Sequence, residues 1–434
     1  MKTLESVTFR GQKINLVDNE LKLDRKSIKS LEEIDGLTDL TQIKTLTLAG
    51  NLLKSIPDSI GNLKSLKKLY LNKNLIESLP DAFSNLQNLE YLWLGDNKLT
   101  EVPKSVKSLQ SLYSLDLGGN EGIDSEFNLI NLPSLETISL AVCGLKSIPY
   151  SIGKLDSLTR LFLGGNRLDN LPNSIENLHH LQDLSLGGNN FKILPEIIGS
   201  LSNLKTLALM NSNITVIPEA IGNLVNLEEL QLMSNYITHL PESFFQLSSL
   251  KRLYLSNNLL NTIPDIICKL NSLTFIDLRG NKLKAIPESI GELKNLEELK
   301  LEGNEIENLP ESLKKNRALN LLNLDLNPID KTKGSRNLKI IEQIQEQGIF
   351  VYLPDNEVYD IPEYLVLDRE LIISALSNEW QPISSLVRKL GVKTMMDARF
   401  LRLKIKEFER KGEIEAEIMF GKKYWKLSTK RNIK

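Results

Sequence analysis

The chain has 434 residues, 41% of them hydrophobic and 25% charged, with a formal net charge of −2. No apolar run approaches the roughly 18 residues of a membrane span, and two cysteines, Cys143 and Cys268, are too few for a disulfide framework or a zinc cluster. The expectation is a chain of a reducing, cytoplasmic compartment, with no cofactor and no membrane contact, long enough for about three domains.

The opening "MKTLESVTFRGQK" puts charges where a signal peptide needs an apolar core, so export is not expected. Within it, "SVTFRGQKINLV" (6–17) reads as a hairpin that covers the first turn of a repeat array, and residues 1–20 are assigned to an N-terminal cap. The array itself comes next. In "LKSLKKLYLNKNLIESLPDAFSN" (63–85), Asn74 belongs to a series that returns every 23 residues, from Asn51 to Asn327, with Cys143 and Ser212 filling two of its places. That makes thirteen turns without an insertion. An earlier turn, "LKLDRKSIKSL" (21–31), joins with Lys26 in the Asn place.

The repeating pattern is Leu-x-x-Leu-x-Leu-x-x-Asn-x-Leu, followed by x-x-[Leu/Ile]-Pro. Leu-x-Leu alternation makes a short strand with two side chains pointing inward. One such strand cannot bury them alone, so neighbouring turns stack into a shared core. The Asn amide suits the bend after the strand, where it can serve orphan backbone groups of adjacent turns. Cys143 and Ser212 are weaker substitutes, and looser packing is expected around them. Proline, with fixed φ and no N–H, suits the start of a short helical turn on the outer side. In the turn that runs from 120 to 142, Glu126 stands in its place, and a bulge or kink is expected there.

Across roughly residues 21–353 the pattern closely resembles the leucine-rich repeat family, and continuations such as "IPDSIGNL" and "IPESIGEL" resemble its intracellular Ras-group type. The resemblance implies an α/β solenoid: a curved parallel sheet with short helical turns on the convex side. It also implies that residues flanking the strand leucines point into the concavity, where partners of such proteins bind. Two clusters of interface-type side chains fall there. Tyr70, Tyr91, Trp93, Arg160 and Phe162 form the first; Arg252, Tyr254 and Phe275, with Asp277 and near Met210 and Met233, form the second. Between them the surface is small, with Ser139, Ser185 and Ala208. The expected ligand is a protein or peptide.

"NPIDKTKGSRNLKIIEQIQEQGIFVYLP" (327–354) reads as a closing cap, with a helix near 336–347 and a last strand over Phe350–Leu353. Residues 354–367, rich in Pro and acidic side chains and free of any period, read as a linker. The tail over 368–434 has a different grammar. A helix begins after Asp368; a second starts at Pro382 and stops before Gly391; a third is "MMDARFLRLKIKEFERKG" (395–412); "EIEAEI", "MFGKK" and "YWKLS" then form a two-stranded wing. This order resembles the winged helix-turn-helix family. On a helical wheel, Ala398, Leu401, Ile405 and Phe408 share one face of the third helix, and Arg399, Arg402, Lys406 and Arg410 share another. In DNA-binding relatives the latter face would meet phosphate or bases, with Lys422 and Lys423 in the wing. Charge sets the tail apart: residues 363–434 carry a net charge of +6 and the remainder −8. Against nucleic acid stand Glu413, Glu415 and Glu417 on one face of the wing, and a second apolar stripe, Met396, Phe400 and Leu403, that suits docking onto protein.

No catalytic constellation emerges. His179, His180 and His239 lack nucleophile partners, and the recurrent "GGN" is the bend before the ladder residue, without the Lys-Ser/Thr of a phosphate loop. The expectation is a non-catalytic signalling adaptor whose repeats grip one partner and whose tail grips another protein or a second copy of the chain. The alternative is a DNA-associated regulator.

Overall fold

A computed structural model describes residues 5–128 and 132–353, together with the backbone of 381–382, 414–419 and 422–427. Strands β1 (Ser6–Phe9) and β2 (Gln12–Asn15) form the expected hairpin, and β1 also pairs with β4 (Ile34–Asp35), which comes after β3 (Glu20–Lys22) in sequence. Val7 and Phe9 are buried, so the hairpin closes the N-terminal end of the core.

Strands of three residues then recur with the repeat. They run from β5 (Thr45–Thr47) through β6 (Lys68–Tyr70), β7 (Tyr91–Trp93), β8 (Ser114–Asp116), β9 (Thr137–Ser139) and β10 (Arg160–Phe162) to β14 (Arg252–Tyr254), β15 (Phe275–Asp277) and β17 (Leu321–Asn323). With β3 at one end and β18 (Phe350–Tyr352) at the other they make one 15-stranded sheet, parallel and in order. Pairing is residue for residue, Tyr70 beside Trp93 and Trp93 beside Asp116. The strand itself holds one inward leucine. The second, such as Leu48, lies just past it, fully buried, and its N–H donates to Tyr70 O at 2.8 Å in the next turn. Stacking therefore continues through the bend.

That bend is where the ladder residue acts. Asn97 donates from Nδ2 to Leu71 O (3.0 Å) and Leu94 O (2.9 Å) and accepts the Ile76 N–H at 3.0 Å, joining adjacent turns. The looser packing expected at Cys143 and Ser212 is not found. Both are fully buried, and each donates to the carbonyl that an Asn would serve, Leu117 O and Leu186 O, at 3.3 Å. A thiol or hydroxyl is donor enough for that half of the ladder. A second ladder, unseen in the sequence, runs along the edge that leads into the strands. Asn88 donates to Lys64 O (2.9 Å), Asn203 to His179 O (2.7 Å), Asn226 to Ser202 O (3.0 Å) and Asn295 to Asn271 O (2.8 Å).

On the convex side each proline of the column stands, extended, before a five-residue 3-10 segment, as Pro57 does before Asp58–Asn62. Where Glu126 replaces proline, the described residues of the turn contain no such segment, yet Asp116 still pairs with Ser139. The irregularity does not reach the sheet. Strands about 4.8 Å apart and bulkier convex segments make the strand side concave. At the C-terminal end, helix α1 (Arg336–Glu346), capped by Ser335 Oγ, which accepts the Leu338 N–H at 3.2 Å, covers the core before β18.

In the tail, β19 (Gln381–Pro382), β20 (Ile414–Met419) and β21 (Lys422–Leu427) form an antiparallel sheet in the order β19-β21-β20. β20 and β21 form a hairpin where a two-stranded wing was expected, but the turn is shorter than "MFGKK", since Met419, Lys422 and Lys423 lie in the strands. Pro382, expected to open a helix, instead sits in a strand and pairs with Tyr424; a short edge strand tolerates proline because no N–H is demanded of it. The linker and the three helices expected in the tail lie outside the described residues.

Candidate binding surface

Side chains alternate across a strand, so the residues on either side of each buried leucine stand on the concave face. Tyr70 and Trp93, neighbours on β6 and β7, meet edge to face with ring centroids 4.8 Å apart and planes at 84°. Trp93 remains 40% exposed despite this contact. Tyr91 packs against Tyr113 at 5.5 Å, and Lys68 Nζ lies 5.1 Å from the Tyr91 ring centre. Tyr113, just before β8, is missed by sequence reasoning because it lies outside the x-Leu-x positions that define the concave face.

Arg160 and Phe162 do not join this group. They stand on β10, three strands beyond β7, with Asp116 and Ser139 between. Arg160 instead donates from Nε to Thr137 Oγ1 at 2.9 Å. One expected cluster is thus an aromatic group on β6–β8 and a separate Arg160/Phe162 site.

The second cluster is brought together. Tyr254 and Phe275 lie 4.9 Å apart, Lys300 Nζ sits 4.7 Å from the Phe275 ring centre, and Arg252 donates from Nε to Glu229 Oε2 at 2.6 Å. The Glu229 carboxylate holds the Arg252 guanidinium further into its charged range, and burial pushes the Tyr254 hydroxyl up. Asp277 is not available to a ligand: it is 2% exposed and holds Arg279 through both oxygens. Phe350 and Tyr352 on β18 extend the same face, with ring centroids 4.5 Å apart. Their alternation in "IFVYL" matches the repeat, and the cap assignment masked it.

Arg399, Arg402, Lys406 and Arg410 lie outside the described residues. Lys422 and Lys423 occupy consecutive places on β21, paired with Met419 and Ile418. Among the described residues no group of three or more His, Cys, Asp or Glu is placed to hold a metal, and no helix is long and apolar enough to cross a membrane. Burial pushes the thiols of Cys143 and Cys268 up to about 11, far from the reactive thiolate range.

Family models for the leucine-rich repeat match residues 133–191 and 225–283, and a model for the leucine-rich repeat region matches 19–128. Among solved structures, the chain is similar to a leucine-rich repeat protein of Leptospira interrogans, with 35% identity, 76% of this chain and 82% of that chain covered, and a TM-score of 0.70. It is also similar to the plant peptide hormone receptor RGFR1, solved in complex with RGF2 (29% identity, 76% of this chain, 57% of that chain, TM-score 0.59). A third similarity is to the Drosophila Toll–Spatzle complex (25% identity, 70% of this chain, 42% of that chain, TM-score 0.61). The chain thus spans little more than half of the plant receptor and less than half of the Toll chain. No curated protein matches it by sequence. With repeat models along its length, a relative of this identity and coverage, and an uninterrupted parallel sheet stacked turn on turn, the chain belongs to the leucine-rich repeat family.

Proposed function

We propose that this protein is a non-catalytic binding scaffold, a cytoplasmic signalling adaptor whose concave face grips a protein or peptide. The observation that carries this reading is the Tyr70–Trp93 pair, an exposed indole packed on a half-buried tyrosine ring, on a sheet fixed by backbone pairing. Exposed aromatic side chains on a surface already fixed by backbone pairing bind with little ordering cost. Tyr91, Arg252, Tyr254 and Phe275 are its further anchors, with Arg160 and Phe162 an intermediate contact. Support comes from two structures similar to this chain, one a peptide hormone receptor in complex with RGF2 and the other the Toll–Spatzle complex.

In this reading residues 1–20 cap the solenoid, 21–353 form it, 354–367 link it to the tail, and 368–434 are a winged-helix-like module for a second partner. The hairpin of β20 and β21 supports that last assignment. Replacing Tyr70 and Trp93 together by Ala is expected to abolish pull-down of the main partner while leaving the thermal midpoint within a few degrees of wild type, since neither side chain belongs to the leucine core. Undiminished pull-down would remove the surface from the proposal.

A second reading, a DNA-associated regulator, is favoured by the net +6 of residues 363–434 against −8 elsewhere. Its contacts would be Arg399, Arg402, Lys406 and Arg410, with Lys422 and Lys423.

A further inference from the structure

Asp116 and Asp277 hold the same place in their turns, each the last residue of its strand. Each accepts with Oδ1 the backbone N–H two residues on, Gly118 N at 3.0 Å and Arg279 N at 3.1 Å. At Asp277 that residue also brings a guanidinium, with Nε on Oδ1 at 2.9 Å and Nη2 on Oδ2 at 2.7 Å. The protein therefore displays what an aspartate in this setting holds: a planar cation, taken by both oxygens.

At Asp116 the residue two on is Gly118, which supplies no side chain, and Asp116 makes no ion pair among the described residues. A Cβ on Gly95 would come within 2.8 Å of Asp116 Oδ2, so glycine there keeps that oxygen open. Trp93 stands beside Asp116 in register, half of an edge-to-face pair. Among the described residues, four rings are faced by a cation of the chain's own: Phe9 by Arg10, Tyr91 by Lys68, Phe245 by Lys269 and Phe275 by Lys300. Trp93, the aromatic type with the strongest attraction for cations, has none among the described residues.

We infer that Asp116 and Trp93 form a seat for an arginine side chain of the partner. The carboxylate takes the guanidinium as a fork and the indole stacks on its plane, a combination that an ammonium cannot reproduce. This rests on the concave-face reading and adds the chemistry of the partner's contact.

The test is a titration of the full chain with the peptide acetyl-Gly-Arg-Gly-amide, followed through the Trp93 indole N–H resonance, assigned with a Trp93→Phe variant. Saturable movement is expected, with affinity about tenfold weaker for the neutral citrulline peptide and weaker also for the lysine peptide. Asp116→Asn keeps the oxygen that accepts the Gly118 N–H, so the turn is preserved, and it should bring the arginine peptide down to the citrulline level. Equal response to arginine and citrulline, equal affinity for lysine, or an unchanged Asp116→Asn variant would overturn the seat. If the seat fails while the Tyr70/Trp93 double variant still loses its partner, the binding surface stands with a different ligand chemistry. If both fail, the concave reading falls with it.

Discussion

Val142 carries a β-branched side chain on left-handed backbone, with φ 56° and half its surface exposed. Every residue that precedes a ladder position adopts this conformation, among them Gly119 (φ 72°), Gly165 (φ 70°), Asn211 (φ 54°) and Gly280 (φ 61°). An L residue there costs roughly 1–2 kcal/mol, of which glycine loses part through its greater freedom in the unfolded chain. Val142→Gly is therefore expected to stabilise the protein by about 0.5–1 kcal/mol, read as a higher denaturant midpoint; a lower midpoint would mean that the valine side chain contributes packing that outweighs its strain. The bend itself was legible, because "GGN" recurs where the strands end. Its left-handed requirement was not, since Lys73, Asp96 and Val142 obey it without any sequence mark.

Among elements, the convex 3-10 segments hold one another through carboxylates. Glu219 accepts the N–H groups of Glu242 (3.2 Å) and Ser243 (2.8 Å) in the next turn, and Glu288 does the same for Glu311 (3.2 Å) and Ser312 (3.0 Å). These backbone donors, Ser243 first for Glu219 and Ser312 first for Glu288, hold both carboxyls below the ordinary value of 4.5. A carboxylate whose folded pKa is depressed stabilises the fold above its unfolded pKa, and that stabilisation is lost as pH falls through the folded value. Wild type should thus lose more stability between pH 7 and pH 3 than a Glu219→Gln/Glu288→Gln variant, measured by denaturant unfolding at each pH. Parallel curves would show that these caps do not sense protonation. An acidic residue follows eight of the eleven prolines of the column, Glu219 and Glu288 among them, and is readable as favouring the start of its own segment. That it serves the next segment depends on the stacking, which places the two starts side by side. The same packing makes Gly153 necessary, since a Cβ there would lie 2.1 Å from Ser174 O.

For the whole molecule, charge divides where the repeat ends, and the two readings of the tail part on salt. If the tail binds duplex DNA, a gel shift of the full chain should appear at low salt and weaken by orders of magnitude between about 50 and 200 mM, as displaced counterions return; apolar docking to protein would survive that change, and no shift at low salt would leave the adaptor. The sequence by itself determined the solenoid, its strands and its caps, because a three-residue strand with a 23-residue return has no other way to bury its leucines than to lie on its neighbours. It also marked Tyr70, Trp93, Tyr254 and Phe275 as concave, since a strand's alternation is local. Only the tertiary structure decided which of those residues meet. Arg160 and Phe162, grouped with Trp93 by residue type, stand three strands from it, and Asp277 turned out to be occupied by Arg279 while Asp116 was not. Strand periodicity says which way a side chain points; neighbours in the adjoining turns determine what it touches.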